Sequence, residues 1–272
     1  MGKISDALER HKKERFITVK RLPVEVSEDS IKRRPESTLV REWVSQNSFS
    51  PKVVVLSAPD SLDAENFKIL RAQILFPKDG KRPKTIMVTS SFPSEGKTFV
   101  AVNLAVSLAL GINEHVLLLD CDLRRPELHN MLGCSSTEGL HEYLMGKRQL
   151  PDLLIRTKIE KLSFLAAGTP SFKASELLSS IAMKEFLKEV KERYDDRFII
   201  IDAPPSQVTA EANVLANYVD GVLFVIMAQR SPREAVKRNI ENFGNKVLGI
   251  VFNGYAPGHR SYYQKYKKYY TK

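Results

Sequence analysis

Two cysteines, Cys121 and Cys134, are all the thiol chemistry that the 272 residues hold. A disulfide framework and a structural zinc site each need more ligands than that, so the expectation is two reduced, structural thiols. No apolar run approaches the roughly 20 residues that cross a bilayer. Residues 1–15 are charged throughout, where a secretion signal would carry an apolar core. Both absences lead us to expect a soluble, cytoplasmic protein. Acidic residues are in short supply too: 32 Asp and Glu stand against 42 Lys and Arg, a formal charge of +10. Such an excess permits anionic partners without requiring one, because most of it is ordinarily solvated surface. Aliphatic residues are missing altogether from residues 258–272, where Tyr262, Tyr263, Tyr266, Tyr269 and Tyr270 stand among lysines. Such a segment cannot build a core. Read by itself, it suits a sticky surface for nucleic acid, lysine meeting phosphate and tyrosine stacking on bases.

What the chain does have is organised around residues 85–98, which read as strand, loop and helix start. A β-branched and apolar run, 85–89, precedes the loop, and a run rich in Ala and Leu follows Thr98 and suits a buried helix. Gly96-Lys97-Thr98 closes a phosphate-binding loop. In such a loop backbone N–H groups wrap phosphates, Lys97 places a cation on the β/γ oxygens, and the Thr98 hydroxyl ligates Mg²⁺. The first glycine of the usual pattern is replaced by Ser91. The nucleotide-contact candidates are Ser91, Pro93, Ser94, Glu95, Gly96, Lys97, Thr98 and Phe99.

Two more apolar runs end in acid. Residues 115–120 finish at Asp120, with Asp122 two residues on and Arg124 after that; residues 198–202 finish at Asp202, where Pro204 and Pro205 stop the strand. Buried parallel strands read as continuous apolar runs, and ligands bind at their carboxyl ends in open α/β sheets. Asp120, Asp122 and Asp202 are therefore candidates for Mg²⁺ and catalysis. Further strands are expected over 162–166, 221–228 and 246–252, and helices over 61–76, 139–145, 174–193 and from Ser231-Pro232 onward. Alternating strands and helices predict an α/β, doubly wound, mostly parallel sheet. Residues 1–50 read as a short helix and a flexible arm, 51–256 as the nucleotide-binding domain and 257–272 as the tail.

Together the phosphate loop, the Asp120-x-Asp122-x-Arg124 run, Asp202-Ala-Pro-Pro and the tyrosine tail resemble the bacterial tyrosine kinases of capsule and exopolysaccharide loci, P-loop relatives of the Min and Par ATPases. The opening residues are similar to those of stand-alone cytoplasmic autokinases. The resemblance implies an ATP- and Mg²⁺-dependent kinase that phosphorylates its own tail in trans and regulates polysaccharide synthesis and export. Lys97 would bind the β/γ phosphates, and Thr98, Asp120 and Asp202 would hold Mg²⁺. Asp122 would orient the phenol or act as its base, Asn253 would lie by the adenine, and the five tail tyrosines would be phosphoacceptors. The family's self-association motif on the 61–76 helix corresponds to Glu65, Lys68 and Arg71, with lysine for the central arginine weakening planar pairing. Implied partners are further copies of the chain, ring-like in arrangement, and a membrane co-polymerase that activates the kinase and draws it to the inner membrane face. Nucleic acid is not among them. In the Min and Par branch a second lysine follows the first loop position; here that residue is Phe92. Two other readings stay open: a Par- or Min-like ATPase that positions cargo, and a nucleotide-gated module binding nucleic acid or membrane.

Overall fold

The structure, a computed structural model, describes residues 41–42, 49–78, 80–134, 138–193 and 197–255. All lie within the compact unit Thr38–Lys272. The helix expected at the start of the chain and the tyrosine tail fall outside the described residues.

In chain order the elements are β1 (Arg41–Glu42), α1 (Val54–Ser57), α2 (Leu62–Leu75), β2 (Thr85–Ser90), α3 (Lys97–Ala109), β3 (His115–Asp120), α4 (Leu128–Leu132), α5 (Leu140–Leu144), α6 (Leu150–Leu153), β4 (Ile155–Arg156), β5 (Leu162–Leu165), α7 (Ala174–Leu178), α8 (Ile181–Arg193), β6 (Arg197–Asp202), α9 (Glu211–Ala216), β7 (Gly221–Met227), α10 (Arg233–Phe243) and β8 (Val247–Asn253). The strands make one sheet in the order β1-β4-β5-β3-β6-β2-β7-β8. Among the described residues every neighbouring pair is parallel except β4 and β5. The doubly wound architecture expected from the alternating pattern is the one observed. The sheet also takes in Arg41–Glu42, upstream of residue 51, at its outer edge.

β2, β3 and β6 are the central strands, and their continuous apolar runs are buried on both faces. On one face lies α3, hydrophobic all round and therefore a core helix instead of a surface one. Two of its buried polar side chains, Asn103 and Ser107, bind the layer outside it. Asn103 Nδ2 donates to the carbonyls of Lys52 (3.0 Å) and Phe99 (2.9 Å), and its Oδ1 accepts from Val55 N–H. Ser107 Oγ donates to the Phe67 carbonyl in α2. On the other face Met183, Phe186, Leu187 and Val190 of α8 join Leu215 of α9 and Phe243 of α10 in a second apolar cluster.

Local chemistry sets the helix ends. Ser61 caps α2 by accepting from Ala64 N–H at 3.1 Å. The helical stretch expected over 174–193 divides at Ser179-Ser180, because Ser180 Oγ caps α8 by accepting from Met183 N–H. Serine there competes with the helix for backbone groups and starts a new one. Among the described residues no helix is long and apolar enough to cross a membrane.

Candidate functional site

Parallel packing brings three strand ends to one place. β2 runs into the loop 91–96, and Asp120 and Asp202 are register partners on the neighbouring β3 and β6. The loop turns through two left-handed residues, Ser94 (φ 65°) and Gly96 (φ 93°), before α3 starts at Lys97. Glu95 is buried and turned back into the loop, accepting from Phe92 N–H at 2.8 Å and from the Ser231 hydroxyl. Ser91 is buried too, and its Oγ accepts from Asn239 Nδ2 at 2.9 Å. Asn239 Oδ1 in turn accepts from Ser206 Oγ and Gln207 Nε2, tying α10 to the loop after Asp202. The Ser91 and Glu95 side chains thus hold the loop's shape, leaving its backbone to face a ligand. Serine in place of the usual first glycine has a local reason, which is its bond to Asn239.

Lys97 is the cation at the centre. Its Nζ lies 2.9 Å from Asp122 Oδ2 and 3.7 Å from Asp202 Oδ1, and it donates to Thr98 Oγ1 at 3.3 Å. Burial pushes the lysine down, but Asp202 and Asp122 more than offset this and hold it above the ordinary lysine range. Burial likewise pushes Asp120 well above the usual carboxylate range, with Asp202 adding to the effect. Asp120 accepts from Asp122 N–H at 3.1 Å and Leu128 N–H at 3.4 Å, while Asp122 Oδ1 accepts from Arg125 N–H at 3.1 Å. Asp202 Oδ1 is buried with no hydrogen-bond partner. An orphan carboxylate oxygen beside a threonine hydroxyl fits a hard divalent cation. Among the described residues no three His, Cys, Asp or Glu side chains form a metal cage, so an ion here would complete its shell from the Thr98 hydroxyl, phosphate oxygens and water.

A cavity of about 550 Å³ opens over this floor, lined by Lys97, Thr98, Phe99, Asp122, Arg124 and Thr209 among others. Pro93, Ser94 and Gly96 form its loop wall. Asn253, at the end of β8, packs against the phosphate loop, its Nδ2 donating to the Glu95 carbonyl at 3.0 Å. Glu65, Lys68 and Arg71 are half-buried along α2. Glu65 pairs with Lys68 at 3.1 Å, and Arg71 donates to the Ser107 carbonyl of α3 at 2.8 Å. The five candidate acceptor tyrosines lie outside the described residues. Burial pushes the Cys121 thiol well up and Cys134 to about 11, so neither is a ready nucleophile.

Sequence reasoning missed Glu211, whose carboxylate pairs with Arg124, and the Asn239 and Ser231 contacts that brace the loop. In sequence Glu211 and Asn239 look like solvated helix residues, and no spacing marks them.

A strand passing through a phosphate loop into a buried helix, with carboxylates at the two adjacent strand ends, defines a P-loop nucleotide-binding protein. A family profile described as an AAA domain matches residues 84–245. The chain is 33% identical over 217 residues to tyrosine-protein kinase YwqD of Bacillus subtilis, covering 79% of this chain and 90% of the relative. Among solved structures it is similar to the kinase domain of Escherichia coli tyrosine kinase ETK, with a TM-score of 0.70 and 27% identity over 82% of this chain and 89% of that one. It is also similar to the septum site-determining protein MinD of Pyrococcus horikoshii complexed with Mg-ADP, with a TM-score of 0.52 and 25% identity over 62% and 68% of the two chains. The chain belongs to the bacterial tyrosine kinases, and its P-loop is an ATP-binding site.

Proposed function

We propose that this kinase uses ATP and Mg²⁺ to phosphorylate the tail tyrosines of a neighbouring copy, and that the reaction regulates exopolysaccharide or capsule synthesis and export. The observation that carries this reading is the Lys97 ammonium held 2.9 Å from Asp122 and 3.7 Å from Asp202 on the floor of the cavity. Phosphoryl transfer needs mainly positioning and charge neutralisation. The loop amides and Lys97 take the phosphates. Thr98, Asp120 and Asp202 are the residues that would hold Mg²⁺, which when bound neutralises charge on the β- and γ-oxygens. As the phenolic oxygen bonds to the γ-phosphorus and the β–γ bridge breaks, the phenolic proton passes to the Asp122 carboxylate and ADP leaves. A free phenol has a pKa of about 10, so a carboxylate placed to orient it and receive its proton late in the transfer is the apt group.

Asn253 is assigned to the adenine end of the site. Glu65, Lys68 and Arg71 are assigned to self-association, with a ring as the proposed assembly. The activating partner is a membrane co-polymerase that recruits the kinase to the inner face of the membrane.

Intact mass of the full chain after ATP and Mg²⁺ tests the reading, beside Lys97→Met and a chain ending at Gly258. Gains of phosphate units that vanish in both controls are expected. Steady ATP hydrolysis with no gain in mass would favour a MinD-like positioning ATPase. A negative result is repeated with cytoplasmic peptides of candidate co-polymerases, and no gain there either would overturn the autokinase reading.

A further inference from the structure

Arg124 lies two residues beyond Asp122 and lines the cavity. A buried carboxylate decides where its guanidinium sits. Arg124 Nε donates to Glu211 Oε1 at 2.8 Å. Glu211 opens α9 with its side chain 1% exposed, whereas that of Arg124 is 44% exposed. The other Glu211 oxygen, Oε2, is buried with no hydrogen-bond partner. Among the described residues the Glu211 contact is the only hydrogen bond or ion pair that Arg124 makes. Its two Nη groups, with four N–H donors, have no protein partner among the described residues.

A carboxylate taken out of water and given half its acceptor capacity is a poor way to stabilise a fold, because an apolar residue of similar volume commonly does as well. Glu211 is nonetheless charged: burial pushes its carboxyl up, and hydrogen bonds from neighbouring donors outweigh burial and hold it below the usual range. The arrangement has a use in the reaction. Lys97 is assigned to the phosphates from the loop side, and a second cation on the cavity wall would stabilise the charge that spreads over the equatorial oxygens of a phosphoryl group in transit. An arginine tethered through Nε presents its Nη edge in a fixed direction and loses little side-chain freedom when phosphate arrives. Arg125 also lines the cavity, but it meets Asp122 through its backbone and has no such anchor among the described residues.

We propose that Glu211 is a positioning residue for phosphoryl transfer: it holds Arg124 by Nε so that the Nη edge meets the phosphoryl group passing between ATP and tyrosine. The inference rests on the autokinase reading above. It assigns Arg124 a contact made most strongly in the transition state, and Glu211 a part exerted through Arg124.

The test uses the full chain carrying Glu211→Gln, Arg124→Gln, both together, and Arg124→Lys. Tail phosphorylation is followed by intact mass at saturating and limiting ATP, and nucleotide affinity by titration with a fluorescent ATP analogue. Each single change is expected to lower kcat about tenfold or more, the scale of losing one aligned donor, while the ATP KM and analogue affinity move less than about threefold. The double variant should be no slower than Arg124→Gln alone, since Glu211 is proposed to act only through Arg124. Additive losses in the double variant, or wild-type kcat in Glu211→Gln, would overturn the proposal. Should Glu211→Gln fail to fold, Arg124→Lys decides: it keeps the charge and loses the Nε tether, and a wild-type rate would refute the role. Failure of the kinase reading would show first as an unmodified parent chain, whereas failure of this inference would show as variants that match a fully phosphorylated parent.

Discussion

Asn253 Nδ2 donates to the Glu95 carbonyl oxygen at 3.0 Å and occupies the space beside Gly96 where a β-carbon would stand, 1.9 Å from that nitrogen. Gly96 also holds φ at +93°, a conformation that side chains rarely adopt. Gly96→Ala therefore meets two obstacles, one steric and one conformational. It should reduce affinity for a fluorescent ATP analogue at least about tenfold, because the loop amides that wrap phosphate move with the glycine. Adding Asn253→Ala clears the clash but not the φ requirement, so the pair should recover affinity only in part. Full recovery would mean that the backbone conformation is unimportant.

The roles proposed for Lys97 and Asp122 divide binding from chemistry. Asp122→Asn keeps the shape of the site and removes the carboxylate that lies 2.9 Å from the ammonium. Autophosphorylation should fall about 10²-fold or more, the usual scale for a positioned acid–base group, with little change in nucleotide affinity. An unchanged rate would remove Asp122 from the transfer step.

The parts that can be read from the sequence are those whose physics is local. Asp120 and Asp202 stand out because a strand buried on both faces must be apolar along its whole length, so an acid at its end is conspicuous. Lys97 and Thr98 stand out because phosphate loops demand those residue types in sequence. Glu211 and Asn239 do not, since their burial depends on partners 87 and 148 residues away. Each is a polar residue in a helix, indistinguishable in sequence from one facing water. β4 is two residues long and pairs antiparallel with β5, too short for any periodicity to announce it.

Ser94 tests the loop from the opposite direction to Gly96. It is exposed at φ 65° with a β-carbon to accommodate, which costs an L-residue about 1 kcal/mol. Ser94→Gly should relieve that strain and raise Tm by up to a few degrees without loss of nucleotide affinity. A fall in Tm would show that the serine makes a compensating interaction.

Acid stability should report on Glu142. Its Oε2 accepts from Gly139 N–H at 2.7 Å, and Oε1 meets His141 Nδ1 at 3.0 Å and Thr169 N–H at 3.3 Å. Burial pushes this carboxyl up, but the His141, Thr169 and Gly139 hydrogen bonds prevail and bring it from 4.5 down to about 2. A carboxyl whose folded pKa is depressed contributes fully above its unfolded pKa. That contribution is lost as pH falls from about 4.5 through about 2. It amounts to something on the order of 3 kcal/mol at neutral pH. Glu142→Gln should lower stability at pH 7 and flatten its decline between those pH values in urea titrations. Parallel curves for the two proteins would assign the acid transition to other groups.

The tail supplies the last test, by charge alone. Residues 256–272 carry Arg260, Lys265, Lys267, Lys268 and Lys272 and no acid. Each tyrosine phosphate adds about −1.5 to −2 near neutral pH, so four of them reverse the sign of the whole segment. In the proposed self-assembly a basic tail would be attracted to the carboxylates around a neighbour's Lys97, and an anionic one would be repelled from them. Modification should therefore loosen the proposed self-assembly, and loosen it less at high salt, where both forces are screened. Light scattering on the same preparation before and after ATP and Mg²⁺ should show a drop in mass at low ionic strength. Equal masses would leave the tyrosines as acceptors without a switching role, and a rise would mean that phosphotyrosine finds a cationic receptor on the neighbouring copy.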